Sequence, residues 1–340
     1  MLWHVFIPRL GCHVNNALMN QTVLPFLERS WIIAGPTASG KSEMAMELAG
    51  RINGEIVSVD SMTIFRELDI GTAKPTVSDR LRIPHHLIDI LDPRAGSSVA
   101  DWLLRCTKCL SEILNRGKVP ILVGGTGLYW KALFFGLTSH PGGDPALRKK
   151  WENEIELRGS AAAHARLLEV DPIAARKIHP TDSRRIIRAM EVWELTGQPI
   201  SSGRPDWGAA MDVRPIPPNH WIWIAWPRTT LRSRIDQRVH KMIELGWKKE
   251  AIGLLKRNAF GPQSVSALGY RTLCDGSNSG LGREEIIQRI VRETCQFAKR
   301  QETWLRSMPM IRPVPLKEGI SLAETLNRIL DSDGNPSEVN

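Results

Sequence analysis

An α/β protein, a P-loop NTPase-like parallel sheet core with helices on both faces plus an all-helical insertion domain, is predicted by three features of the 340-residue sequence. Short apolar runs alternate with amphipathic stretches, which implies parallel strands joined by crossover helices. A G-x-x-x-x-G-K-S match, Gly35 to Ser42, stands between the first run and the first helical pattern. After Ser139 the pattern becomes helix-only before a last apolar run returns.

WIIAG, from Trp31, is a buried strand that breaks at Gly35-Pro36, and Lys41 to Arg51 has helical periodicity. EIVSVD is a strand ending in Asp60. His86 to Ile90 reads as a further strand, Ser98 to Arg116 as an amphipathic helix, and VPILVGG as a buried strand ending at Gly124. HPGGDP punctuates the entry to the insertion, and from Pro145 to Thr196 only helices are expected. WIWIAW, Trp221 to Trp226, returns to strand. Thr230 to Leu245, Lys248 to Arg257 and Glu284 to Arg306 are helical. The expected organisation is an N-terminal extension of little order (1–29), a core of 30–138 and 212–325, an insertion of 139–211 and a frayed tail of 326–340.

Composition narrows the function classes. With 42% hydrophobic and 24% charged residues, the chain is neither disordered, nor collagen-like, nor a disulfide scaffold. No apolar run approaches the roughly 18 residues of a membrane span, so no membrane partner is expected. The net charge of +9 favours a polyanionic partner, nucleic acid before an anionic membrane. Five scattered cysteines, Cys12, Cys106, Cys109, Cys274 and Cys295, read as reduced thiols of a cytoplasmic protein. Cys106 and Cys109 have C-x-x-C spacing, but no second pair follows and both fall in a helical pattern.

Gly35, Pro36, Thr37, Ala38, Ser39, Gly40, Lys41 and Ser42 form the candidate phosphate-binding loop. Its glycines let backbone N–H groups wrap a phosphate, and the following helix points its positive end at the same place. Lys41 adds a full charge, and Ser42 is placed to ligate a Mg²⁺. The loop implies a diphosphate or triphosphate, not ATP hydrolysis as such. The best later strand ends in Gly124-Gly125-Thr126 with no carboxylate, so the usual NTPase arrangement is incomplete. Asp60 ends the strand after the loop's helix, at the edge where open α/β sheets bind ligands. An Asp there can ligate metal, bind a hydroxyl or take a proton; the blander reading is a turn or helix cap.

GPTASGKS, DSMTIFRELDIGTAKP, PHHLID and VGGTGLY are followed by IHPTDSRRIIRAMEVWELTGQPIS, RSRIDQRVHKMIELGW, SALGYR and QFAKRQETWLR. In these motifs, which run in order from Trp31 to about Arg306, the chain resembles the tRNA dimethylallyltransferases of the IPP transferase family. The resemblance implies a prenyltransferase. It would move the dimethylallyl group of dimethylallyl diphosphate to N6 of the adenosine 3′-adjacent to the anticodon (position 37), in tRNAs reading codons that begin with U. It also implies Mg²⁺ as cofactor, the tRNA anticodon stem-loop as partner, and a cytoplasmic monomer. The phosphate loop would then hold a prenyl diphosphate. Family matches make Asp60 the general base, Thr126 a contact to the target nucleotide and Arg234 a diphosphate ligand, with Arg238 one turn away on the same helix face. Candidate tRNA contacts carried over in the same way are Asp60, Ser61, Met62, Thr63, Thr126, Arg148, Arg184, Arg185, Arg188, Gly269, Tyr270, Arg271, Lys299, Arg300, Gln301, Trp304 and Arg306. Basic residues interleaved with an aromatic suit a backbone-tracking surface. The competing readings are a helix cap for Thr126 and solvated charges for the arginines.

Two positions depart from the family pattern. Phe65 stands where Tyr is usual, and Thr63 where Gln is common, changes expected to alter recognition of bases beside the target. Three other functions fit parts of the chain. An adenylate isopentenyltransferase using free AMP or ATP would need neither the helical insertion nor the basic last helix. A P-loop small-molecule kinase would transfer phosphate. A non-catalytic RNA-binding protein would leave Lys41, Asp60 and Thr126 without a task.

Overall fold

Six parallel strands make one sheet in the order β3-β2-β4-β1-β5-β6. They are β1 (Trp31–Ala34), β2 (Gly54–Val59), β3 (His85–His86), β4 (Val119–Gly124), β5 (Trp221–Ala225) and β6 (Arg312–Pro315). The computed structural model describes residues 23–137, 140–203, 220–278 and 280–332. The chain divides into two compact units, one within 22–134 and 214–340, the other within 135–213. These divisions lie a few residues from the expected insertion limits of 139 and 211.

In the sheet unit the central strands are continuous apolar runs, as burial on both faces requires. Ala34 and Val59 both lie opposite Gly124, so β1, β2 and β4 finish level at one edge. α2 (Lys41–Ile52) buries Met44, Ala45, Leu48 and Ala49 along one stripe, then stops at left-handed Asn53. α3 (Val77–Arg82) is a short surface helix. α4 (Val99–Asn115) opens with a reciprocal Ser98–Asp101 capping box. It buries Cys106 and Cys109, whose thiols are free; burial pushes Cys109 up to about 12. α5 (Gly127–Phe135) follows β4.

The insertion unit holds α6 (Pro145–Arg158), α7 (Ser160–Val170), α8 (Pro172–Lys177) and α9 (Ser183–Thr196). Asp144 and Asp171 cap α6 and α8, each with a proline opening the helix. Its core gathers Trp151, Leu167, Ile186 and Met190. Back in the sheet unit come α10 (Arg228–Glu244), α11 (Trp247–Lys256), α12 (Tyr270–Asn278), α13 (Arg283–Arg306) and α14 (Leu322–Ser332). No helix among the described residues is long and apolar enough to cross a membrane.

Four expectations need correction. The extension drawn as 1–29 is structured from residue 23: residues 23–28 form a helix, α1, that buries Val23 and Leu27. Trp221 Nε1 donates to the carbonyls of Leu27 (3.3 Å) and Ser30 (3.2 Å), which gives the first Trp of WIWIAW a structural task. Residues 1–22 lie outside the described residues. The tail drawn from 326 is α14 as far as Ser332. Leu322, Leu326 and Ile329 recur at helical spacing and pack with Leu48 and Ile224 in the main core. The expected strand His86–Ile90 shrinks to two residues because Leu87 and Asp89 take left-handed φ of 62° and 56°. Finally, β6 has no counterpart in the expected elements. Its Pro313 and Pro315 are tolerated because the strand lies at the sheet edge.

Leu326→Ala is therefore expected to lower unfolding free energy by about 2–5 kcal/mol in a denaturant titration. A change within about 0.5 kcal/mol would return α14 to a frayed tail.

Candidate active site

The loop after β1 is held open by partners from distant parts of the chain. Ala38 and Gly40 take φ of 62° and 90°. Its carbonyls are occupied: Lys41 Nζ donates to Pro36 O (3.2 Å), Arg234 Nε to Ala38 O (2.9 Å) and Trp226 Nε1 to Ser39 O (2.9 Å). Arg234 also lies 4.9 Å over the Trp226 ring, so each fixes the other. Thr37 N donates to Gln301 Oε1 at 2.8 Å. Gly40 gives α2 no side-chain cap. Backbone donors at the helix start are thus left for an anion. Ser39 is fully buried and its Oγ has no hydrogen-bond partner among the described residues. A buried orphan hydroxyl here fits a ligand oxygen.

Asp60 follows β2 at the same edge. Its Oδ1 accepts from Met62 N (2.8 Å) and Thr63 N (3.3 Å), forming an Asx turn. Oδ2 has no hydrogen-bond partner among the described residues. The turn reading and the base reading therefore apply to different oxygens of one carboxylate. Thr126 straddles this residue: its N–H donates to Val59 O (3.3 Å) and its Oγ1 accepts from Ser61 N (3.2 Å). The hydroxyl braces the Asp60 turn instead of capping α5, and its own proton stays available. A Cβ on Gly124 would strike Val59 O, and one on Gly125 would strike the Gln301 amide, so both glycines are required by close approach. Tyr129, stacked on Trp102 at 4.1 Å, has its phenol pushed up to about 12 by burial and then by the Asp60 charge.

The charges converge. Burial, then the Arg238 charge, lowers Lys41 to about 8, partly offset by Asp60. Burial also lowers Arg238, with Asp60 opposing. Two half-buried cations thus lie within electrostatic reach of one carboxylate. The resemblance matched Arg234 to a diphosphate ligand and left the choice between it and Arg238 open; the structure separates the two arginines. Arg234 grips the loop through the Ala38 carbonyl, while Arg238 is the one in electrostatic reach of Lys41 and Asp60. A cavity of about 580 Å³ opens beside Arg238, walled by Ile70, Ala73, Pro75, Met242 and Leu245. Trp226, which the sequence places within the strand and the structure just past the end of β5, and the inward role of Gln301 carry no local signal.

A model of the IPP transferase family matches residues 63–308. The chain belongs to the IPP transferase family. A tRNA dimethylallyltransferase from Geobacter metallireducens is 43% identical over 279 residues, covering 81% of this chain and 88% of the relative. A tRNA dimethylallyltransferase 1 from Pelobacter propionicus is 44% identical over 290 residues, covering 84% and 92%. Among solved structures, the tRNA isopentenylpyrophosphate transferase of Bacillus halodurans matches with a TM-score of 0.62 at 36% identity, over 91% of this chain and 98% of that one. A eukaryotic dimethylallyltransferase acting on tRNA matches with a TM-score of 0.69 at 25% identity, over 90% and 78%.

The remaining family positions divide into outward and inward sets. Thr63 is buried and its hydroxyl shares a 2.8 Å hydrogen bond with Ser58; Phe65 is wholly buried. Both departures from the IPP transferase pattern are thus taken up in packing. Tyr270 is buried, and its hydroxyl donates to Glu250 Oε1 at 2.5 Å. Glu250 also accepts from the N–H groups of Asp69, Ile70 and Gly71, so SALGYR anchors that loop. Gly269, at φ 82°, has no room for a Cβ beside Trp247. Arg271 is exposed, 3.9 Å from Asp275. On α13, Lys299, Arg300 and Arg306 are exposed, Gln301 is buried, and Trp304 lies 4.5 Å under Lys131 Nζ. In the insertion unit, Arg148 and Arg188 share the buried carboxylate of Glu191 at 3.2 and 3.7 Å. Arg188 also donates to Pro141 O (2.7 Å), and Arg185 pairs with Asp182 (2.6 Å). Arg184 is exposed, with no ion pair among the described residues. Tyr270 and Gln301 are therefore buried and engaged inward, while Arg188, a third exposed, is tied to Glu191 and Pro141.

Arg184→Ala and Arg300→Ala should each flatten the slope of log affinity for tRNA against log salt by about 1. A slope that does not change removes the residue from the interface.

Proposed function

We propose that this chain transfers the dimethylallyl group of dimethylallyl diphosphate to N6 of the adenosine at position 37, beside the tRNA anticodon, in tRNAs reading codons that begin with U. The observation that carries this reading, together with family membership, is an anion cradle and a carboxylate with one uncommitted oxygen at the same sheet edge. An exocyclic adenine amine is a weak nucleophile because its lone pair is delocalised into the ring. Asp60 Oδ2 accepts its proton as the new C–N bond forms at the allylic carbon and the C–O bond to diphosphate breaks. Lys41, Arg238 and the loop N–H groups stabilise the charge that develops on the departing diphosphate.

Ser42 is exposed at the start of α2, and no group of three His, Cys, Asp or Glu that could hold a metal lies among the described residues. The Ser42 hydroxyl would hold Mg²⁺, which would supply countercharge for the leaving group. The reading includes a cytoplasmic monomer.

Acceptor choice tests the proposal. Protein supplied with dimethylallyl diphosphate, Mg²⁺ and equal amounts of tRNA and AMP should prenylate tRNA alone, read by mass spectrometry of the nucleosides. Prenylated AMP beside unmodified tRNA would overturn it in favour of an adenylate isopentenyltransferase.

A further inference from the structure

Gln301 lies on the helix whose outer side carries Lys299, Arg300 and Arg306, yet its own side chain is buried. Its carboxamide joins two loops. Oε1 accepts from Thr37 N of the phosphate loop at 2.8 Å, and Nε2 donates to Gly125 O at 3.0 Å. An amide is suited to this because it both accepts and donates, which a carboxylate or a thioether does not. The same turn of α13 presses on the neighbouring backbone. A Cβ on Gly125 would strike the Gln301 amide, and one on Gly127 would lie 2.7 Å from the Trp304 ring. Thr126 is therefore held at the glycine on either side, and it is the residue that contacts both Val59 and Ser61 around Asp60. The Gly35 N to Gly124 O bond (3.3 Å) ends the direct backbone link between the two loops. Gln301 extends that link beyond the sheet, to the points where leaving group and base would act.

We propose that Gln301 is a positioning residue for the donor side of the site: it keeps the phosphate loop and the Thr126 turn in register, and does not read tRNA. The proposal rests on the assignment of the phosphate loop to an allylic diphosphate. Small displacements between a base and a reacting carbon are enough to lose rate steeply.

Gln301→Met keeps the volume and removes both hydrogen bonds. The expected result is a fall of about tenfold or more in kcat/KM for dimethylallyl diphosphate, with tRNA Kd within about twofold of wild type. Gln301→Asn keeps the amide but shortens it by one carbon, so that it cannot reach both Thr37 N and Gly125 O, and should give the same split; it decides the matter if Gln301→Met does not fold. A tRNA Kd that rises in step with the lost rate makes Gln301 an RNA contact and overturns the proposal, as does a variant with unaltered donor kinetics. Wild-type protein in the same assay keeps the two readings apart. If it transfers no prenyl group, the donor assignment fails. If it does and Gln301→Met matches it, only the positioning role fails.

Discussion

Asp60→Asn is expected to lower kcat by about 10²–10⁴ while tRNA affinity stays within about twofold of wild type. The division of labour within the carboxylate makes this substitution informative. Asparagine Oδ1 can still accept from Met62 N and Thr63 N, so the turn survives. What disappears is the basicity of the second oxygen. Removing a negative charge also leaves Lys41 and Arg238 without their shared counter-ion, so donor binding should be unchanged or tighter. Asp60→Ala should behave differently. It orphans two backbone donors as well as removing the base, adding about 1–3 kcal/mol of destabilisation. Steady-state kinetics, filter binding and thermal unfolding on the two variants separate these effects. Equal losses of rate and tRNA affinity in Asp60→Asn would make Asp60 a binding contact.

Lys41→Met should weaken pyrophosphate binding by about 10- to 150-fold, the worth of a hydrogen bond to a charged group. The lowered Lys41 value adds a pH signature. In the empty protein burial lowers the ammonium to about 8, so the advantage of wild type over Lys41→Met in pyrophosphate affinity should hold steady below that pH and fall by up to about tenfold per unit above it. The same shift has the opposite sign for stability. Between about 8 and the unfolded value of 10.5, the folded chain carries less proton than the unfolded chain. Stability from this group therefore rises with pH across that window, and the buried charge costs roughly 3 kcal/mol at most below it. Lys41→Met should thus bind anions worse and unfold at higher temperature at neutral pH. Calorimetric titrations with pyrophosphate at several pH values, beside melting curves, check both signs. A ratio of wild-type to Lys41→Met affinity that stays constant through pH 9.5 would show that Lys41 is not the titrating partner of the anion.

The sheet edge was largely legible in the sequence because its signals are local. WIIAG, EIVSVD and VPILVGG are apolar runs closed by glycine or Asp, and GPTASGKS needs only its own spacing to declare a cradle. The Ser98 start of α4 is readable for the same reason, since a capping box spans four residues. What stayed hidden depends on docking. Nothing local distinguishes Gln301 from its neighbour Arg300; one is buried and the other exposed because α13 lies against Gly125 and Gly127. Arg234 and Arg238 share a helix face, and only the packing of α10 beside the loop decides which sits near Lys41. Tyr270 belongs to a motif tied to RNA by resemblance, but Glu250 takes its hydroxyl. The tail is the exception, a real signal left unread: Leu322, Leu326 and Ile329 already trace an apolar stripe. β6 gave less to read, four residues of which two are proline.

If the loop at Gly35–Ser42 serves carbon transfer, protein incubated with Mg²⁺, tRNA and dimethylallyl diphosphate should yield prenylated adenosine and free diphosphate in equal amounts in the same sample, with ATP unable to replace the donor. A γ-phosphoryl group passed from ATP to an acceptor, with every tRNA adenosine left unalkylated, would contradict it.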